Sequence, residues 1–235
     1  MFSILRSITF FAFFVSTCTF AATIEIGGQV MDEGGQPIAA AQVAINGTVT
    51  ESGRDGSFMT TVGEGDIYSV KYAADGYFPV IHTYSALELS WHQDGNTLGI
   101  PDVSLVEKTD GRVMMAFGGD AMMGRRFSKP YEGEPVLLRE GHKVEDAQAL
   151  LRHMKPYLKI ADFASVNLET QVMNTQPEGN APKSFVFYTP PEAVLAFRDA
   201  GVDYVTLGNN HTNDYLATGL VSTIAALEAA NMPYS

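Results

Sequence analysis

Three short stretches of this chain place chemistry-capable side chains just after apolar runs. "VMMAFGGDAMMGRR" delivers Gly118, Gly119 and Asp120, "FASVNLETQV" delivers Asn167 and Glu169, and "VTLGNNHTND" delivers Asn209, Asn210 and His211. In open α/β sheets, ligands bind beyond the carboxyl ends of strands. If these three strands are neighbours, two carboxylates, several amides and an imidazole converge on one spot. Two carboxylates that close repel each other unless a cation lies between them. Oxygen donors with one or two nitrogens suit a hard divalent ion such as Mn²⁺, Mg²⁺, Zn²⁺ or Fe²⁺. His211 is then placed to act as a general acid.

Each residue also has a plainer role. Asp120 can cap the turn after its strand, and Asn167 and Glu169 can be a turn and a solvated acid. Asn209 and Asn210 can supply left-handed backbone. Thr212, Asn213 and Asp214 read as turn and helix-entry residues rather than ligands. The joint occurrence at three strand ends favours a site. Arg125 and Arg126 are candidates for holding a phosphate or a polyanion, while His142 and His153 flank and end a surface helix. His82, Trp91 and His92 belong to a different, strand-rich part of the chain.

Positioning such residues requires alternating strands and helices, and the second half of the sequence supplies them. "RVMMAF" is a continuous apolar run that suits a strand buried on both faces. "KVEDAQALLRHMKPYL" carries Val144, Ala147, Leu150, Leu151, Met154 and Leu158 on one helical stripe, with Pro156 disturbing its last turn. "DFASVNLE" and "VDYVTL" read as strands. "TPPEAVLAFRDAG" reads as a helix with prolines at its start and Gly201 past its end. A last helix is predicted to open at Thr218 and to stop before Pro233. The chain then reaches "NMPYS", where a new strand would begin, so a longer parent protein is expected.

The first half has a different texture. From Ile24 to about Val106, short runs such as "IEIGGQV", "AQVAING", "GSFMTTV" and "IYSVKYA" alternate apolar and polar residues between Gly, Asp and Asn turns. This predicts a small antiparallel β-sandwich over 24–106, followed by a linker at 107–112 and an α/β unit over 113–235. The expected fold class is therefore mixed.

The charge balance, 27 acidic against 15 basic residues, gives a net charge of −12. This balance argues against nucleic acid and anionic lipid surfaces as partners, because they demand clustered Lys and Arg. Arg6, the apolar run Ile8 to Val15 and Ala21-Ala22 together read as a secretory signal over residues 1–22, too short to span a membrane comfortably. Export to the periplasm, cell envelope or medium follows. The single cysteine, Cys18, allows no intrachain disulfide. Contact with a membrane is expected only through the signal segment or a lipid anchor.

Two resemblances rest on particular residues. Gly28, Val30, Gly35, Pro37, Ala41, Val43, Asp55, Gly56 and Phe58 stand where the carboxypeptidase regulatory-like (transthyretin-like) sandwich has its strand and turn signature, which speaks of fold and hardly of activity. "GGDAMMGR", "ADFASVNLET" and "GVDYVTLGNNHTNDY", in that order, resemble the CapA family of capsule or poly-γ-glutamate synthesis proteins. That resemblance implies the front half of a calcineurin-like metallophosphatase fold, a double β-sheet flanked by helices. It implies Asp120 and Asn210 as metal ligands, Asn167 or Glu169 in the bridging place, and His211 facing the scissile group. Met122 stands where active metallophosphatases carry a histidine, Leu216 stands where a glycine is expected, and the histidine-bearing segments that would complete a two-metal clamp are expected beyond Ser235.

Three functions compete on this reading. The first is a metal-dependent hydrolase of phosphoesters or of polymer amide or ester links. The second is a non-catalytic part of capsule or polyglutamate synthesis and export, with a surface polymer (polyglutamate or polysaccharide) or its synthesis machinery as partner. The third is an adhesion module in which the sandwich does the work.

Overall fold

The computed structural model describes residues 22–235. Apart from Ala22, the predicted signal segment, with Cys18 and any anchor on it, lies outside the described residues. Strands β1 (Thr23–Asp32), β2 (Gln42–Ile45), β3 (Thr48–Glu51), β4 (Ser57–Gly63), β5 (Ile67–Ala73) and β6 (Val80–Ser85) come first. A short helix α1 (Ala86–Ser90) and strands β7 (Gln93–Asp94), β8 (Thr97–Gly99) and β9 (Val103–Leu105) follow. They form two sheets, one ordered β4-β1-β8-β7 with β9 also on β1, the other β3-β2-β5-β6. The inward residues of both sheets, among them Ile26, Val30, Val43, Ile45, Val70 and Tyr72, share one buried cluster. The alternation in the sequence explains this: β5 is read exposed and buried by turns from Ile67 to Tyr72, as period-two side chains must be when one face is dry. One detail departs from the expected all-antiparallel arrangement. β8 and β9 both lie parallel to the long β1, because helix α1 and the turns after it carry the chain back across the sheet end.

The remaining chain alternates as predicted. β10 (Met115–Ala121) is followed by helices α2 (Lys143–Leu151) and α3 (Lys155–Lys159). Next come β11 (Phe163–Leu168), β12 (Gln171–Val172), β13 (Tyr188–Thr189), α4 (Glu192–Ala200), β14 (Tyr204–Thr206) and α5 (Leu216–Ala229). β10, β11 and β14 form a parallel sheet in that order. A second buried cluster joins Ala164, Val166 and Val205 of this sheet to Ala147, Val194, Phe197 and Leu227 of the helices. Past α5, Tyr234 bridges Val205 in parallel. No helix among the described residues is long and apolar enough to cross a membrane.

Three expectations need correction. β10 is an edge strand, not one buried on both faces: Met115 and Phe117 are 47% and 74% exposed. Only β11 pairs with it, and these alternate side chains point away from the helices, whereas Ala116 between them packs on the core. The single helix expected over "KVEDAQALLRHMKPYL" is two helices. Pro156 occupies the first turn of α3, where its missing N–H costs nothing, and the break leaves Met154 exposed rather than on a buried stripe. Helix α5 opens at Leu216, before Thr218, with Leu216 itself in left-handed backbone at φ +56°. Gly201, by contrast, ends α4 at φ +99° as expected, against Lys159, whose Cγ would lie 2.8 Å from any Cβ there.

Candidate functional site

The sheet register brings the three strand ends together. Asp120 lies opposite Asn167, and Asn167 opposite Thr206. A register shift at Gly118-Gly119, between Phe117 and Asp120, turns the end of β10. The lack of a side chain at Gly118 permits it, since a Cβ there would lie 2.8 Å from Val166. Asn167 Nδ2 donates to Asp120 Oδ1 at 2.6 Å, and Asn209 Nδ2 donates to Asn167 Oδ1 at 2.9 Å and to the Leu168 carbonyl. The His211 N–H donates to Asn209 Oδ1 at 2.8 Å. A relay of amides thus ties the end of β10 to the loop after β14. Burial, then the adjoining Asp120 carboxyl, holds the Glu169 pKa above the ordinary glutamate range. An acid at the end of β10 and one just past the end of β11 therefore adjoin.

His211 is 7% exposed and lies flat on Phe187, ring centroids 4.0 Å apart. Its Nδ1 is 2.7 Å from Asp214 Oδ2. With Nδ1–H donating to that carboxylate, Nε2 is the free nitrogen, and it faces Glu169 Oε1 at 3.9 Å. Asp214 is fully buried. Its Oδ2 also accepts the Phe187 N–H at 2.5 Å, and its Oδ1 faces the Lys183 ammonium as an ion pair. Lys183 donates in addition to the Asn210 carbonyl at 2.6 Å.

The predicted residues divide accordingly. Asp120, Asn167, Glu169, Asn209 and His211 share one connected cluster. Within it, Asn167 presents its amide nitrogen to Asp120 and its oxygen to Asn209. Asn210 is exposed and joins the cluster by its backbone carbonyl, not by a side-chain hydrogen bond. Arg125 stands beside the cluster, its guanidinium over the rings of Phe185 and Phe187 at 5.3 and 5.1 Å, and Arg126 lies over Tyr131 at 4.7 Å. Met122 turns its sulfur to the Gly124 N–H at 3.0 Å. Among the described residues, no three His, Cys, Asp or Glu side chains close on a single point as a finished metal cage.

Three residues here escaped the sequence reading: Asp214, Lys183 and Phe187. Asp214 stands three residues after His211, and that spacing in a tight turn was a signal open to a second reading. Lys183 and Phe187 come from the segment before β13, which carried no motif.

The profile of the family described as "Bacterial capsule synthesis protein PGA_cap" fits residues 114–235, a span holding every residue of this cluster. The chain belongs to this family. A curated relative, "Capsule biosynthesis protein CapA" of Bacillus anthracis, is 32% identical over 125 residues, 52% of this chain. The match spans 28% of the length of that relative. Among solved structures, a 3-chlorocatechol 1,2-dioxygenase of Rhodococcus opacus is similar at TM-score 0.31 and 10% identity, over 38% of this chain and 61% of that one. The group B streptococcus pilus 2b backbone protein is similar at TM-score 0.30 and 15% identity, over 37% and 42%. At such scores neither likeness bears on the chemistry of this PGA_cap member.

Proposed function

We propose that this protein is exported and acts in the synthesis or export of a capsule polymer, through a cation site at the ends of β10 and β11. The family match supports the process. The observation that supports the site is the meeting of Asp120 and Glu169, where burial first and the adjoining Asp120 carboxyl second make Glu169 resist ionisation. A divalent ion relieves that repulsion. The donor set fits one hard cation held by these two carboxylates. Among the described residues it makes no two-metal clamp, since Met122 offers only a thioether and the Asn167 oxygen is already engaged. A bound ion would supply polarisation of a carbonyl or phosphoryl oxygen.

A second reading, hydrolysis of phosphoester or polymer links, is favoured by the Asp214–His211 pair. Asp214 holds the imidazole in the Nδ1–H tautomer and in one orientation, which leaves Nε2 as the free nitrogen, placed to take up a proton and pass it to a leaving group at the Glu169 side. Phe187 covers one face of the ring and keeps water from it. Lys183 balances the buried Asp214 charge.

Calorimetric titration with Mn²⁺ tests the site. The intact chain should bind, and Asp120→Ala and Glu169→Gln should each weaken binding by roughly tenfold or more, the loss of a charge-assisted ligand. Equal binding by all three proteins would remove it. Release of phosphate or glutamyl oligomers, sensitive to chelator and to His211→Ala, separates hydrolysis from a binding role.

A further inference from the structure

The protein is acidic overall, yet three of its fifteen basic residues, Arg125, Arg126 and Lys129, fall within five positions beside the cluster. They are not loosely placed. Arg125 adopts left-handed backbone, φ +51°, a conformation that is sterically unfavourable for a non-glycine residue and persists only when surroundings impose it. Gly124 before it is wedged so closely that a Cβ would sit 2.0 Å from the Tyr188 carbonyl oxygen. The Arg125 carbonyl then accepts the Lys129 N–H at 2.7 Å, closing the turn. The guanidinium is thereby laid on Phe187, the same ring that carries His211.

Two cavities meet at Arg125. One, of about 580 Å³, is lined by Arg125, Arg126, Met122 and Phe127, with Glu134 as its carboxylate. The other, of about 170 Å³, is lined by Arg125, Lys129, Gln176, Tyr188 and Tyr215. A single anion needs one such pocket. Cations distributed over two adjoining pockets, with apolar and aromatic surface between, match a chain that carries repeated negative charge.

We propose that a linear polyanion threads both cavities across Arg125, with charged groups on Arg126 and Lys129 to either side, and that this track feeds the His211 cluster. The threading rests on the capsule-polymer reading for its biological ligand, but the binding it requires does not depend on a metal. Carboxylate and phosphate polymers share the necessary chemistry.

Fluorescence anisotropy with labelled oligoglutamate, in chelator, tests it on the intact chain. Free glutamate, inorganic phosphate, a neutral oligosaccharide and polyphosphate serve as competitors. Oligoglutamate should bind, weaken with added salt, and resist displacement by the monomeric anions and the neutral sugar. Displacement by polyphosphate alone among the competitors supports the track, and polyphosphate binding without oligoglutamate binding assigns the charge to phosphate. Arg125→Ala should weaken binding roughly tenfold to a hundredfold, and Arg125→Lys less, since it keeps charge but loses the planar stack. The exposed pair Arg126→Ala with Lys129→Ala should lose about tenfold without unfolding. Unchanged binding in that double variant, or equal competition by the neutral sugar or by free glutamate, would overturn the track. Loss of Mn²⁺ binding or hydrolysis would leave it standing, so the two readings fail separately.

Discussion

Replacing Asp214 by asparagine keeps the shape of a fully buried side chain and removes its charge. Three groups lean on that carboxylate: the Lys183 ammonium, His211 Nδ1 at 2.7 Å and the Phe187 N–H at 2.5 Å. The amide oxygen, set in the place of Oδ2, can still accept from His211 and Phe187 as a weaker, uncharged acceptor, but its NH₂ then faces the Lys183 ammonium, donor against donor. Hydrogen bonds to charged groups contribute about 1.5–3 kcal/mol each, and breaking one partner of a buried ion pair costs about 3–5 kcal/mol. Lys183 is partly exposed, side chain 30% accessible, so water recovers some of its solvation. The expected loss is therefore about 2–4 kcal/mol, read as a lower urea midpoint for the transition that exposes the second core. Lys183→Met should cost less alone, and the double variant Lys183→Met with Asp214→Asn should be more stable than the sum of the single losses, because each removes the other's unpaired charge. Imidazole nitrogen shifts in NMR supply a second readout: the Nδ1–H tautomer should lose its dominance in Asp214→Asn. A midpoint unchanged within about 0.5 kcal/mol, with the tautomer also unchanged, would refute the claim that Asp214 sets the imidazole.

Two further outcomes follow from the acids. The Glu169 pKa is raised in the folded state by burial and by Asp120, so folding disfavours its ionised form and the penalty grows as pH rises through the ordinary glutamate range. Glu169→Gln should accordingly raise stability at neutral pH without metal, with the gain vanishing in acid, and added Mn²⁺ should stabilise the parent more than the variant; denaturant melts across pH check both signs. Asp146 behaves oppositely, its carboxyl drawn down to about 2, first by the Arg139 side chain and then by the Arg139 backbone N–H. That contribution is present above about pH 4, the ordinary aspartate value, and is lost as pH falls toward 2. Arg139→Ala should therefore melt earlier than the parent at neutral pH, with the two curves merging in acid.

How much of this was legible in the sequence depends on the range of the interaction. Gly201 past a helix and Gly56 in the turn that leads into β4, at φ +76°, follow from local backbone sterics, and the three strand-end motifs follow from short patterns read in order. Phe117 defeated the reading because an apolar run does not say whether a strand has one neighbour or two. Asp214 defeated it because a buried carboxylate and a helix-entry carboxylate look alike until burial is known. Lys183 and Phe187 had no local signature.

Composition, periodicity and motif order in the chain alone determined a mixed fold, a strand-rich first half, an alternating second half and the three places where polar groups cluster. Tertiary structure alone decided that Asp120 meets Glu169, that His211 points Nε2 rather than Nδ1 toward them, and that Arg125 shares a ring with the imidazole. Local preferences act over a few bonds and are written residue by residue. Proximity and protonation arise only when distant segments exclude water from the same small volume.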